Sequence, residues 1–286
     1  MQLGVVFPQT EISADPDIVA EFATTAESLG YAHLIAYDHV LGANTATRPN
    51  WSGPYTMDSL FHEPFVLFSY LAGLTSTLEF VSAVIILPQR QTALVAKQAA
   101  CVDVLSKGRL RLGVGTGWNA VEYEALGENF NDRGKRSEEQ IDVIRKLWDD
   151  PTISYDGTWH KITDAGLNPL PGRQIPIWLG GMAPQVVERV GRLADGWFPF
   201  FNDKLAAQLA KVKTVAEANS RSMDDIGIEV ISPLGEAGPK QLDQLKHLAD
   251  MGVTHSAVVT MNHNLASPQD HIEALKRYRD ATGSLA

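Results

Sequence analysis

Eight times along this chain a short apolar run is followed by a stretch whose apolar residues recur at helical spacing, and few folds accommodate that alternation. The runs are Leu3–Phe7, His33–Tyr37, Glu79–Leu87, Leu110–Gly115, Ile175–Leu179, Gly196–Phe201, Ile226–Ile231 and His255–Val259. Between them lie sets such as Ile18, Phe22, Ala26 and Leu29, or Ile272, Leu275 and Tyr278. Asp15-Pro16 and Ser267-Pro268 are helix starts, Asp203 reads as a further cap, and Gly30, Gly108 and Gly252 are helix stops. An open doubly wound sheet usually stops near six strands and carries a glycine fingerprint after its first strand; Phe7-Pro8-Gln9-Thr10 has none. The pattern therefore predicts an α/β fold, a (β/α)8 TIM barrel forming one domain over residues 1–286. One stretch departs from it. Ile153 to Thr163 alternates like strands around Asp156-Gly157, which predicts a small antiparallel hairpin inserted on the barrel rim after the fourth helix, Gly134–Trp148.

Composition narrows the function classes. At 44% hydrophobic and 20% charged residues, the 286-residue chain can bury a large core, which excludes the disordered and fibrous classes. Its 24 basic and 34 acidic residues leave a net charge of −10, with no basic face for a nucleic acid. The longest nearly apolar run, Phe80–Leu87, is far below the roughly 20 residues that span a bilayer, and Met1-Gln2-Leu3-Gly4 lacks a positively charged leader. A cytoplasmic protein without membrane partners is expected. Cys101 is the single cysteine, so an intrachain disulfide and thiolate zinc sites are excluded; its place in a helical apolar pattern predicts a buried thiol. The eight histidines include no helical i, i+4 pair with a glutamate, so no metal is expected. Arg133 and Arg136 could grip an anionic substrate, but pairing with Glu138 and Glu139 at a helix start is the expected role.

In a barrel of this kind chemistry belongs at the C-terminal strand ends. Asp38-His39 follows the second strand and puts a titratable pair there, where an imidazole can exchange a proton beside a bound cofactor or instead lock a loop by hydrogen bonding. Gly113-Val114-Gly115-Thr116-Gly117-Trp118 ends the fourth strand; its glycines would let a flat ring or a phosphate tail approach the backbone with Trp118 as wall, or simply pack the strand end closely. After the fifth, Gly180-Gly181-Met182-Ala183-Pro184 is a glycine turn into a helix without a side-chain cap. Its first N–H groups need another acceptor, a role that a phosphate suits and that water can also fill.

These stretches resemble the bacterial luciferase-like monooxygenase superfamily, and within it the flavin- and coenzyme F420-dependent oxidoreductases. The resemblance spans nearly the whole chain. It is carried by Ala26-Glu27-Ser28-Leu29-Gly30-Tyr31, Asp38-His39, Leu87-Pro88-Gln89-Arg90, Leu105-Ser106-Lys107-Gly108-Arg109, Leu112 through Trp118, Ile177-Trp178-Leu179-Gly180-Gly181 and Ala194-Asp195-Gly196-Trp197. It implies a barrel holding coenzyme F420, or alternatively FMN, over its mouth. A bulge with a non-proline cis peptide near Ala83, Val84 and Ile85 would lie against the ring, and Gly115, Thr116, Gly117 and Trp118 would flank it. The phosphate would rest on Gly180, Gly181 and Met182. His39, with Asp38, would stand near the redox carbon as proton donor or acceptor. With F420 the reaction would be two-electron hydride transfer to or from a small organic substrate. FMN would imply oxygen chemistry and possibly a separate flavin reductase, and a non-catalytic flavin or F420 carrier is the rival outside catalysis. Some F420-dependent sugar-phosphate dehydrogenases carry a glutamate where this chain has Trp118, with Glu122 one turn later; together with Trp51 and Tyr55 this points to an apolar or aromatic substrate. A homodimer is also implied.

Overall fold

The computed structural model describes residues 1–235 and 239–283. Parallel strands β1 (Gln2–Val6), β2 (His33–Ala36), β3 (Glu79–Ser82) with its continuation β4 (Ile85–Ile86), and β5 (Leu110–Gly115) make one half of a barrel. The antiparallel pair β6 (Ile153–Asp156) and β7 (Lys161–Ala165) stands apart, and β8 (Ile177–Gly180), β9 (Gly196–Phe198), β10 (Gly227–Pro233) and β11 (His255–Val259) complete the circuit. Pairing runs β3-β2-β1-β11-β10-β9-β8-β5, and β3 also pairs with β5, so the sheet closes and no edge is left in it. The helices are α1 (Pro16–Ser28), α2 (Pro64–Ala72), α3 (Thr92–Leu105), α4 (Ala120–Ala125), α5 (Arg133–Asp149), α6 (Pro184–Leu193), α7 (Leu205–Ala218), α8 (Pro239–Asp250) and α9 (Pro268–Thr282). Among the described residues no helix is long and apolar enough to cross a membrane.

Local chemistry explains most boundaries. The Asp15 and Ser267 side chains accept from the amides of Asp17 and Asp270, with a proline at the first helical position of each helix. Gly30, Gly108 and Gly252 take positive φ just beyond their helices.

Several expectations need correction. Asp203 does not cap α7; Lys204 holds the cap position, its amide satisfied by the Asn202 side chain. The long third strand is interrupted. Val81 pairs with Arg111 and Ile85 with Val114, so four residue steps on one strand match three on the other, and the bulge holds the cis peptide Ala83–Val84 that the family resemblance implied. Helix α4 lies in the loop after β5, where the sequence pattern marks only a glycine-rich strand end. The hairpin turn is longer than Asp156-Gly157 alone, because Glu139 of α5 accepts the amides of Thr158, Trp159 and His160 at 2.8–2.9 Å. Glu139 is thereby taken from the arginines, Glu138 pairs with Arg189 and Arg192, and Arg136 turns instead to Glu128 and Asp132. Cys101 is only partly buried.

The barrel interior is layered. At its base Glu229 of β10 meets His33 of β2 at 2.5 Å and Arg111 of β5 at 2.6 Å, and Arg111 also reaches Glu79. Burial alone would raise the Glu229 pKa, but the Arg111 guanidinium and the hydrogen-bonded His33 ring beside it override that and hold the carboxyl at about 2. Trp178 caps this ionic layer, with the Arg111 guanidinium 4.3 Å from its ring. Above it Val6, Ile35, Val81, Phe198, Ala257 and Met261 fill the bore. The upper surface of that plug is the floor of the site.

Candidate active site

Where the strands end, a cavity of about 660 Å³ opens, within the range of roughly 300–1,000 Å³ usual for small-molecule sites. One wall is Val84. Its two methyl groups project toward Gly115 and Gly180, where a Cβ would sit 2.5 and 2.7 Å from them. Only glycine allows β5 and β8 to approach the bulge this closely, so the two glycines and the valine form one interlocked surface. Next to Gly180, the start of α6 also borders the cavity. Ala183 occupies its cap position and provides no side-chain acceptor, and Gly181 adopts φ +114°. The Met182 carbonyl is held by Gln208 and that of Gly181 by the Trp197 indole.

His39 stands on the loop after β2 inside an aromatic surround. Its ring lies 4.8 Å from Tyr55, 4.9 Å from Phe61 and 5.7 Å from Trp118. Trp51 packs on Trp118 in turn and donates to the Tyr55 carbonyl, which fixes the loop on itself. Burial raises the phenol pKa of Tyr37 and of Tyr55, so both are neutral donors. His39 Nδ1 is 3.0 Å from Oε1 of Glu122, a residue of α4 that is 1% exposed. The same oxygen accepts the Val40 amide at 2.9 Å, and Oε2 accepts from Gln89. Burial pushes the Glu122 pKa up, but these hydrogen bonds and the imidazole more than compensate and leave it below the ordinary value.

Asp38 is held differently. Its Oδ1 accepts from Arg90 Nη2 at 2.8 Å, and its Oδ2 accepts from Arg90 Nε at 3.3 Å and from the Ile86 amide at 3.0 Å. Arg90 continues to Glu63 at the head of α2. The pair therefore ties the ends of β2 and β4 to α2, and the carboxylate is fully engaged.

Of the residues singled out from sequence, the structure brings Asp38, His39, Ala83, Val84, Gly115, Thr116, Gly117, Trp118, Gly180, Gly181 and Met182 to this one cavity. Ile85 is not there; it is fully buried and points into the packing outside the barrel. The sequence reading had Glu122 only as a stand-in beside Trp118, and it missed Phe61, Phe198 and Ile231. It also missed Gln9, which is fully buried and clamps the backbone of Tyr37 through both amide atoms. A strand residue facing a barrel bore is legible from alternation once the strand is placed, but a glutamine gripping a neighbouring loop leaves no such trace. No lysine or arginine lines the cavity among the described residues.

Among the described residues, the strand ends of a closed parallel barrel converge on an apolar cavity that holds one anchored imidazole, at the C-terminal face where barrels of this class carry their sites. The chain belongs to the luciferase-like monooxygenase family, which it matches over residues 1–235. Family members are oxidoreductases and monooxygenases. It is 33% identical over 255 residues to the protein Rv0940c of Mycobacterium tuberculosis, covering 87% of this chain and 86% of that one. An FMNH2-dependent dimethylsulfone monooxygenase of Pseudomonas fluorescens is 31% identical (77% of this chain, 59% of the other). An F420-dependent glucose-6-phosphate dehydrogenase of Amycolatopsis mediterranei is 25% identical (89% and 75%). Among solved structures, an F420-dependent secondary alcohol dehydrogenase shares the fold at a TM-score of 0.79 and 15% identity, over 100% of this chain and 99% of that one.

Proposed function

We propose that the protein is an F420-dependent oxidoreductase acting on a small, uncharged, apolar or aromatic substrate, with His39 as the group that takes up or returns the substrate proton. The observation that carries this reading is the placement of His39 in the aromatic surround, facing the same cavity as the glycine wall and the uncapped α6 start. The residues present fit a flat ring with an anionic tail. Val84 between Gly115 and Gly180 gives a smooth apolar face, and backbone amides of the turn into α6, which no side chain caps, can donate to a phosphate. When bound there, the deazaflavin would supply a two-electron hydride donor or acceptor. Gly180, Gly181 and Met182 would hold its phosphate, Ala83 and Val84 its ring, and Gly115 to Trp118 its edge. Asp38 would act by position, keeping the end of β2 in register with the bulge through Arg90. The absence of a lysine or arginine from the lining among the described residues argues against a sugar phosphate as substrate. Exposed apolar residues on α2 and α3, among them Val66 and Tyr70, Leu94 and Leu105, support a homodimer formed through those helices. That the FMNH2-dependent relative is more similar than the F420-dependent one favours a second reading, reduced FMN with oxygen, fed by a separate reductase.

Titration of the purified protein with F420 and with FMN, followed by absorbance and fluorescence, tests the choice. Saturable binding of F420, with His39→Ala lowering turnover while leaving cofactor affinity within a few-fold, is expected. Binding of FMN alone, or unchanged turnover in the variant, would overturn the reading.

A further inference from the structure

We infer that Glu122 is the positioning residue that fixes the tautomer of His39, placing the ring proton on Nδ1 and leaving the Nε2 lone pair free for the substrate. The inference rests on the reading of His39 given above and extends it to a residue on another element. Glu122 is almost wholly buried; its Oε1 accepts the amides of Val40 and Leu41 at 2.9 and 3.4 Å and lies 3.0 Å from His39 Nδ1, and its Oε2 accepts from Gln89 Nε2 at 3.3 Å. No arginine or lysine pairs with it among the described residues; the nearby Arg90 is occupied by Asp38 and Glu63. A carboxylate so placed can only accept, so Nδ1 must carry the hydrogen. The other ring nitrogen has no protein partner among the described residues, and the ring that bears it borders the cavity. In its neutral form His39 is thus set to accept a proton from a substrate O–H or N–H through Nε2, and the imidazolium so formed returns it in the reverse direction. The carboxylate also stabilises that imidazolium as it forms. Because Oε1 grips the Val40 and Leu41 amides as well as the ring, the backbone following His39 and the imidazole are oriented by one atom.

A merely structural glutamate would hold the loop and leave the proton distribution of the ring alone, and this difference can be measured. In protein labelled with ¹⁵N-histidine, the ring-nitrogen shifts of His39, assigned by comparison with His39→Ala, report which nitrogen is protonated. The expected result for the wild type is the Nδ1–H form, shifting toward a mixture or toward Nε2–H in Glu122→Gln, whose amide can donate to Nδ1. With turnover, Glu122→Gln is expected to lower kcat by about 100-fold or more, the scale of losing a correctly oriented base, with KM and cofactor affinity nearly unchanged. A wild-type His39 protonated on Nε2, or a Glu122→Gln protein with wild-type kcat and the wild-type ring pattern, would overturn the inference. The nitrogen measurement needs neither cofactor nor substrate, so it stands or falls apart from the cofactor titration, and the wild-type spectrum decides even where the variant does not fold.

Discussion

Replacing Gly115 by alanine tests the interlocked wall directly. The added Cβ would lie 2.5 Å from Val84 Cγ2, whereas carbon atoms pack without strain at about 3.5–4.0 Å. Roughly 1 Å of movement is needed, and Val84 cannot supply it by moving toward β8, since its other methyl already rests against Gly180. Either the segment carrying the bulge shifts or the valine rotates and carries a methyl to its third staggered position; both remodel the cavity surface. Overpacking of this size costs about 1–3 kcal/mol. The cost is expected as a loss of unfolding free energy in urea or as a weakening of cofactor binding by about 5- to 150-fold, at 1.4 kcal/mol per decade. The diagnostic is rescue. Val84→Ala removes both methyl groups, so the double variant should recover most of the loss, with a coupling free energy of about 1–3 kcal/mol between the two sites. Additive effects in the double-mutant cycle, or a Gly115→Ala protein with native stability and binding, would refute the claim that the glycine exists to admit the valine.

Two further outcomes follow from other parts of the molecule. Burial, and then the Arg111 charge, push the His255 pKa down to about 3, against 6.5 in the unfolded chain, so the folded state favours the neutral ring. The stabilisation is complete above pH 6.5 and is lost as pH falls toward 3; between pH 7 and pH 5 this residue accounts for about 2 kcal/mol of lost stability, at 1.36 kcal/mol per unit. His255→Gln should flatten the urea-derived stability profile over that interval by a like amount, and parallel profiles would show the histidine to be irrelevant. On the outer face, Leu94 and Leu105 lie eleven residues, three helical turns, apart on α3, and Leu94→Glu with Leu105→Glu should convert a dimer to a monomer in light scattering; a wild-type protein already monomeric at micromolar concentration would remove the proposed interface.

The barrel was legible because each strand is buried on both sides and is written as a continuous apolar run, while each helix shows its own period. Boundaries set by distant side chains were not. From its apolar pattern alone the third strand reads as unbroken from Glu79 to Leu87, because a bulge changes pairing without changing hydrophobicity; only the family resemblance implied it. The hairpin turn depends on a glutamate of α5, and α4 is a six-residue helix whose pattern is too short to stand out. Glycines were visible as a cluster, but their reason, the two methyl groups of Val84, lies on a different strand. Asp38 and His39 are adjacent in sequence and so invited a common role; their partners, Arg90 and Glu122, separate them.

One side of the cavity comes from a single contiguous stretch. His39, Pro54 and Tyr55 all belong to the loop between β2 and α2, whereas Val84, Gly115 and Gly180 are contributed by the bulge and by two further strands of the closed sheet. The two sides therefore differ in how freely they can vary: a change in the first touches one surface segment, and a change in the second disturbs a lattice shared by the entire barrel. Descendants of such a chain can exchange guests by rewriting a few dozen consecutive codons while the opposite face stays as it is.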